Sequence, residues 1–253
     1  MLLAAGVSFT GRRLRFNYSG DPAAAPPGYR GKTVPGAYLN AEVYPLAFTG
    51  QRGIGANLGI GAVFDRVLSL KSAVDDGAGG TTTVPTRESR YGARVMYRHN
   101  VGDGPTGLSL VASAGYNKMA FVIAKGQAPD GVIVDVPNVV YTYIDPGLGA
   151  RIPITGRLSA LLDARFLAVL DTGEIQKPEQ YGTATVTGAD LDGALEYGVG
   201  DHFLVRAGAR VLFMGFAFKG TGALTDRDAN TMTDVGGASD RYLGGYVLGG
   251  YSF

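Results

Sequence analysis

The chain has 253 residues, 23 basic and 22 acidic, and its net charge of +1 gives no overall field to draw it to nucleic acid or to an acidic substrate. It has no cysteine, which excludes a disulfide framework and thiolate zinc sites, and no run of about eighteen apolar residues, which excludes an ordinary transmembrane helix. Forty glycines stand among 45% hydrophobic and only 18% charged residues, too apolar a mixture for a disordered chain and without the period of collagen.

The opening residues 1–9 have no basic region before them, and Arg12, Arg13 and Arg15 follow where a cleavage site would stand. They read as the start of a strand, and any targeting segment is expected to lie outside this chain. From there an alternation of period two recurs in ten segments, at about 3–18, 36–45, 53–68, 89–99, 107–123, 139–152, 157–170, 184–199, 203–217 and 240–253. In the third, Ile54, Ala56, Leu58, Ile60, Ala62 and Phe64 share one face, against Gly55, Asn57, Gly59 and Gly61 on the other. In the seventh, Leu162, Ala164, Phe166 and Leu170 oppose Asp163 and Arg165; in the ninth, Phe203, Val205, Val211 and Phe213 oppose Arg206 and Arg210. Several segments exceed the roughly 5–6 residues of an ordinary globular strand.

The connections alternate in length. Short ones fall at 47–52, 100–106, 153–156 and 200–202; long ones, rich in Gly, Pro, Asp and Thr, fall at 19–35, 70–88, 124–138, 171–183 and 218–239. Both termini therefore belong to the short-turn side.

This pattern resembles the bacterial outer-membrane β-barrels, with their even number of antiparallel strands, short periplasmic turns and longer outer loops. The likeness covers the whole chain. It implies a single all-β domain over 1–253, a closed up-and-down transmembrane barrel of about ten strands with both termini on the periplasmic side. The ending, with Val247, Tyr251 and Phe253 at alternate positions, resembles the C-terminal signal read by the outer-membrane barrel-insertion machinery. The implied location is the bacterial outer membrane, with its lipids as surroundings.

The faces assign themselves by composition. The apolar faces carry no charge, whereas the opposite faces hold Arg, Asp and Gly and almost no Lys, which suits a crowded lumen better than a solvated surface. A three-residue loop centred on Asp201 would set Glu196 opposite Arg206 and Asp192 opposite Arg210. A turn centred on Thr155 would set Asp145 opposite Arg165 and Gly147 opposite Asp163. Arg90, Arg94 and Arg98 share the inward parity, with Glu42, Asp163 and Asp190 as counter-charges. Tyr38, Tyr141, Tyr143, Tyr242 and Tyr246 are also inward, while Tyr44, Tyr91, Tyr97, Phe203, Tyr251 and Phe253 lie near strand ends, where an aromatic girdle would sit. Because about eight strands already fill their interior with side chains, ten predict a largely filled lumen.

Evidence for chemistry is sparse. The two histidines, His99 and His202, both fall at the short-turn end. Omptin-like outer-membrane proteases resemble the chain in strand number but work at the outer rim, so no enzymatic activity is expected. The Asp75-Asp76 pair and the loop aspartates Asp226, Asp228 and Asp234 with Asn230 lack the glycine and final glutamate of a calcium loop. The glycines at 77–80 are followed by no Lys-Ser or Lys-Thr, so they are no phosphate cradle. Neither cofactor nor metal is expected.

The function implied is that of a non-enzymatic outer-membrane anchor or scaffold, with other cell-envelope proteins as partners and no nucleic acid. Two alternatives stand beside it: a narrow pore or small-solute transporter, and a recognition protein acting through the long loops.

Overall fold

Residues 1–49, 53–75, 80–101, 107–132, 134–227 and 234–253 are described by a computed structural model. The alternating segments form strands β1 (Leu2–Tyr18), β2 (Tyr29–Arg30), β3 (Val34–Val43), β4 (Leu58–Val67), β5 (Leu70–Asp75), β6 (Thr81–Val101), β7 (Leu108–Ile123), β8 (Val139–Ile144), β9 (Gly147–Pro153), β10 (Leu158–Asp171), β11 (Ala184–Val199), β12 (Phe203–Phe218) and β13 (Val235–Ser252). Every neighbour is antiparallel, and β13 returns to pair with β1 from Leu2↔Ser252 to Tyr18↔Val235. The Phe253 N–H donates to the Met1 carbonyl at 3.0 Å and extends this seam. Closure leaves the barrel wall without an edge, which a lipid environment requires because it supplies no hydrogen bonds.

The wall has ten strand positions. Strands β8 and β9 fill one of them together, interrupted at Asp145 and Pro146. Strand β5 continues β4 past Leu68, and β2 sits beside β1 where β3 has ended. The segment 70–88, expected as a loop, is instead a hairpin that extends the wall, with β5 paired to β6 from Leu70↔Thr86 to Asp75↔Thr81. Pro85 is tolerated there because β7 stops pairing at Thr86↔Ile123, and Pro85 offers only its carbonyl, to the Ala124 N–H. The third strand starts at Leu58 rather than 53, since Gly55–Asn57 form a turn of 3₁₀-helix and leave Ile54 exposed.

The outer surface is apolar. Leu148, Leu162, Phe166, Leu191, Leu195, Val211 and Leu243 are all at least 40% exposed and lie around the wall, the inside-out polarity of a membrane barrel. Inward residues divide the lumen by height. Toward the long loops, Leu14, Met119, Phe121, Tyr141, Tyr143, Leu167, Met214 and Phe216 form a dense apolar core. The loops themselves add to it: Val136, Ile175 and Tyr181 are buried in it, and Leu224 packs against it. Loop-to-loop bonds hold this cover, among them Asn138 N–H to Glu174, Lys125 to Glu174 at 3.2 Å, and Arg227 Nε to the Ala24 carbonyl at 2.8 Å. Toward the termini the lumen is open and polar, so the expected filling holds for the loop half alone.

Candidate functional site

Period-two alternation places every even-numbered residue of β1 inside, so Arg12 projects between Ser8 and Leu14. Its side chain and that of Asp240 are both 0% exposed. Arg12 donates two hydrogen bonds from Nε and one from Nη2 to Asp240, at 2.9, 3.1 and 2.8 Å. Asp240 also accepts from the Tyr141 hydroxyl at 2.7 Å and from Tyr242 at 3.3 Å. The guanidinium lies 4.2 Å from the Phe121 ring centroid, so one face of the cation is covered by an aromatic quadrupole. This cluster marks the boundary between the apolar core and the polar chamber. Neither Arg12 nor Asp240 is among the lumen charges expected from the sequence, although parity with Leu14 and Tyr242 marks both as inward.

Below it is a small cavity of 60 Å³ lined by Ser8, Asp65, Glu88, Arg90, Tyr242 and Tyr246, enough for a few water molecules. Ser8 donates to Asp65 at 2.6 Å. Further toward the termini opens a chamber of 640 Å³, whose described lining includes eight arginines and six carboxylates.

The lumen charges fall as follows. Glu196 and Arg206 are registered partners, and Arg206 donates from Nε at 3.0 Å and Nη2 at 2.6 Å. Arg151 approaches the other Glu196 oxygen at 2.9 Å. Asp192 and Arg210 are registered partners too, yet they do not bond. Arg210 reaches Asp190 instead, with Nε at 2.7 Å, and Asp192 accepts from the Tyr246 hydroxyl at 2.7 Å. Arg90 stands 3.6 Å from Asp190.

The turn before β10 is centred on Gly156 rather than Thr155, because Ile154 and Thr155 both donate to the Leu158 carbonyl. The one-residue move shifts each partner by two, so Arg165 faces Gly147 and Asp163 faces Gly149. Arg165 consequently bonds Asp163 on its own strand at 2.6 Å and lies 3.6 Å from Asp145. Space for it is provided by Gly147, where a Cβ would strike its Cγ.

Two of these contacts share one geometry. Arg12 and Arg210 each lean forward along their own strand, toward an acid whose registered partner is two residues further on. A long side chain has little room over the residue directly opposite but reaches the diagonal neighbour at about 7–8 Å.

Glu42 lines the chamber and accepts from Asn40 at 3.3 Å. Arg98 stacks over Tyr44 at 4.2 Å, so Tyr44 is a buried lumen residue rather than part of an aromatic girdle; it shares the parity of Glu42. Phe203, Tyr251 and Phe253 do cluster at the terminus end, with ring centroids 5.1 Å and 4.6 Å apart in successive pairs. His202 stacks on Tyr251 and its Nδ1 lies 3.0 Å from the Ser252 carbonyl. Asp234 accepts from the Arg227 N–H, while Asp76, residues 77–79, Asp228 and Asn230 lie outside the described residues.

No family model matches the chain, and no curated protein matches it in sequence. Similar solved structures include the outer-membrane protease OmpT from Escherichia coli, at TM-score 0.50 and 10% identity, with 100% of this chain and 96% of that chain covered. The Pseudomonas putida toluene transporter TodX follows at TM-score 0.32 and a Pseudomonas aeruginosa FadL homologue at 0.31. Each is 10% identical, with 100% of this chain and 90% of theirs covered. The expectation that the chain is not an enzyme is corrected by the first likeness, because the same closed architecture carries a protease. At this identity the likeness is one of fold. The closed antiparallel wall, the apolar exterior and the polar lumen make this chain an integral β-barrel of the bacterial outer-membrane type.

Proposed function

We propose that the barrel is a closed membrane anchor for a cell-envelope assembly, oriented with its termini and short turns toward the periplasm. The observation that carries this reading is the sealed loop half of the lumen. Val136, from the connection between β7 and β8, and Ile175 and Tyr181, from that between β10 and β11, lie on an apolar core whose underside is closed by the Arg12–Asp240 cluster. A through-channel would need those residues to leave, at a cost of about 1.5–3 kcal/mol for each large apolar side chain exposed. The described lining of the chamber includes Met1, Thr155, Asp201 and Ser252 at the terminus end, the side on which a partner would meet it.

In this reading Val247, Tyr251 and Phe253 act during assembly as the segment handed to the barrel-insertion machinery, and afterwards as part of the rim. The anchoring role is tested by purification in mild detergent after crosslinking in intact cells. A defined envelope protein bound in constant ratio, and released when Arg157 and Asp201 at the chamber mouth are both changed to alanine, is the expected result. A barrel recovered alone, with no crosslinked species, would overturn it.

A further inference from the structure

We propose that the chamber at the terminus end binds a small anionic solute through the arginines of β6, the recognised group being a phosphate or a carboxylate. Its 640 Å³ lies within the roughly 300–1,000 Å³ of ordinary ligand sites. Among its described lining, eight arginines exceed six carboxylates, and the carboxylates of the β10 and β11 wall are already engaged. Glu196 is held by Arg206 and Arg151, Asp190 by Arg210, Asp163 by Arg165, and Asp192 by the Tyr246 hydroxyl.

The β6 wall is different. Among the described residues no carboxylate stands within salt-bridge distance of Arg94, which shares its strand and its inward parity with Arg90 and Arg98. Arg90, 6% exposed, stands 3.6 Å from Asp190, too far for a hydrogen bond, and its Nε and that terminal nitrogen have no hydrogen-bond acceptor. The buried Nε of Arg98 likewise lacks one, while its guanidinium is stacked on Tyr44. Leaving such donors unmatched is costly, most of all for charged groups, and an oxyanion removes that cost.

The wall is also shaped for this row. Arg94 is flanked on both neighbouring strands by glycine: a Cβ at Gly61 would stand 3.1 Å from its Cγ, and one at Gly115 would stand 3.0 Å from its Cβ and 2.5 Å from Asp145. The two glycines give the Arg94 stem a slot in the wall. The three arginines are four residues apart along one strand, a rise of roughly 13 Å per step, so a compact solute meets one or two of them rather than all three. The planar fork of arginine suits phosphate and carboxylate alike.

The test uses the full barrel in detergent at constant ionic strength, with sodium chloride replaced stepwise by inorganic phosphate, pyrophosphate or citrate. We expect a saturable rise in melting temperature with at least one of them, and the more effective probe distinguishes a phosphate-bearing from a carboxylate-bearing solute. In Arg94→Gln the apparent affinity falls about tenfold or more, the size of one lost charge-assisted hydrogen bond, and in Arg94→Gln/Arg98→Gln the response disappears. Equilibrium dialysis of the unmodified barrel against labelled pyrophosphate and labelled citrate keeps the idea testable if a variant fails to fold, with about one bound solute per barrel expected. Absence of saturable binding by all three probes, or an unchanged response in the double variant, would overturn the inference whether or not the barrel proves to be closed.

Discussion

Changing Asp240 to alanine removes the carboxylate on which three donor groups converge: the Arg12 guanidinium, the Tyr141 hydroxyl and the Tyr242 hydroxyl. Arg12 is then left as a cation with a 0% exposed side chain, and breaking a buried pair from one side typically costs about 3–5 kcal/mol. Glu88, itself 6% exposed, lies within the field of Arg12 and offsets part of the loss. The expected destabilisation is therefore at the lower end, about 3 kcal/mol or roughly two decades in the folding equilibrium. The chain has no tryptophan, so urea unfolding in lipid vesicles is best followed by far-ultraviolet circular dichroism and by the heat-dependent gel mobility of the folded barrel. Arg12→Met/Asp240→Leu removes both charges and should restore most of the stability, since apolar replacement of a buried pair is often near neutral. An Asp240→Ala barrel as stable as its parent, or a double variant worse than the two single losses together, would refute the reasoning.

The other outcomes follow from the two faces of the wall and from its rim. Leu191→Arg, at the midpoint of β11 and on its exposed face, should cost about 2–4 kcal/mol in vesicle refolding, whereas a water-facing position would lose almost nothing. Arg206→Ala should cost less than Asp240→Ala, about 1–3 kcal/mol by the same unfolding assay, because Arg151 still approaches Glu196 at 2.9 Å. Tyr251→Asp combined with Phe253→Asp disperses the ring cluster with Phe203 and is expected to lower the yield of assembled barrel in outer-membrane fractions, with unchanged synthesis.

Much of the wall could be read from residue order because a strand's side chains alternate strictly. The inward parity of Arg206, Arg210, Asp163 and Arg165 and the outward parity of Leu162 and Val205 follow from counting by two. Which acid meets which arginine could not be read in the same way. That depends on whether a turn centres on Thr155 or Gly156, a difference set by two backbone hydrogen bonds to Leu158. It depends also on the forward lean that takes Arg210 past Asp192 to Asp190. The β5–β6 hairpin was hidden by Pro85, whose missing N–H is harmless only because β7 has already stopped pairing beside it.

Division of the lumen by height was equally hidden. Ile175 and Tyr181 come from a segment rich in turn formers, and nothing in their immediate neighbours indicates that they fold back onto Leu167, Phe216 and Phe218. Arg12 belongs with them: read alone it is one of several basic residues near the start of the chain, and only closure with β13 brings it to Asp240. Long-range pairing, rather than local propensity, creates both the seal and the polar chamber beneath it.

The most direct test of a closed lumen is single-channel recording from the purified barrel in planar bilayers. With the core of Leu14, Phe121, Tyr141 and Met214 in place beneath the folded loops, no steady ion-sized openings should occur across the voltage range that the bilayer tolerates. Sustained, reproducible openings from the unmodified protein would contradict the seal and make the barrel a conducting pore.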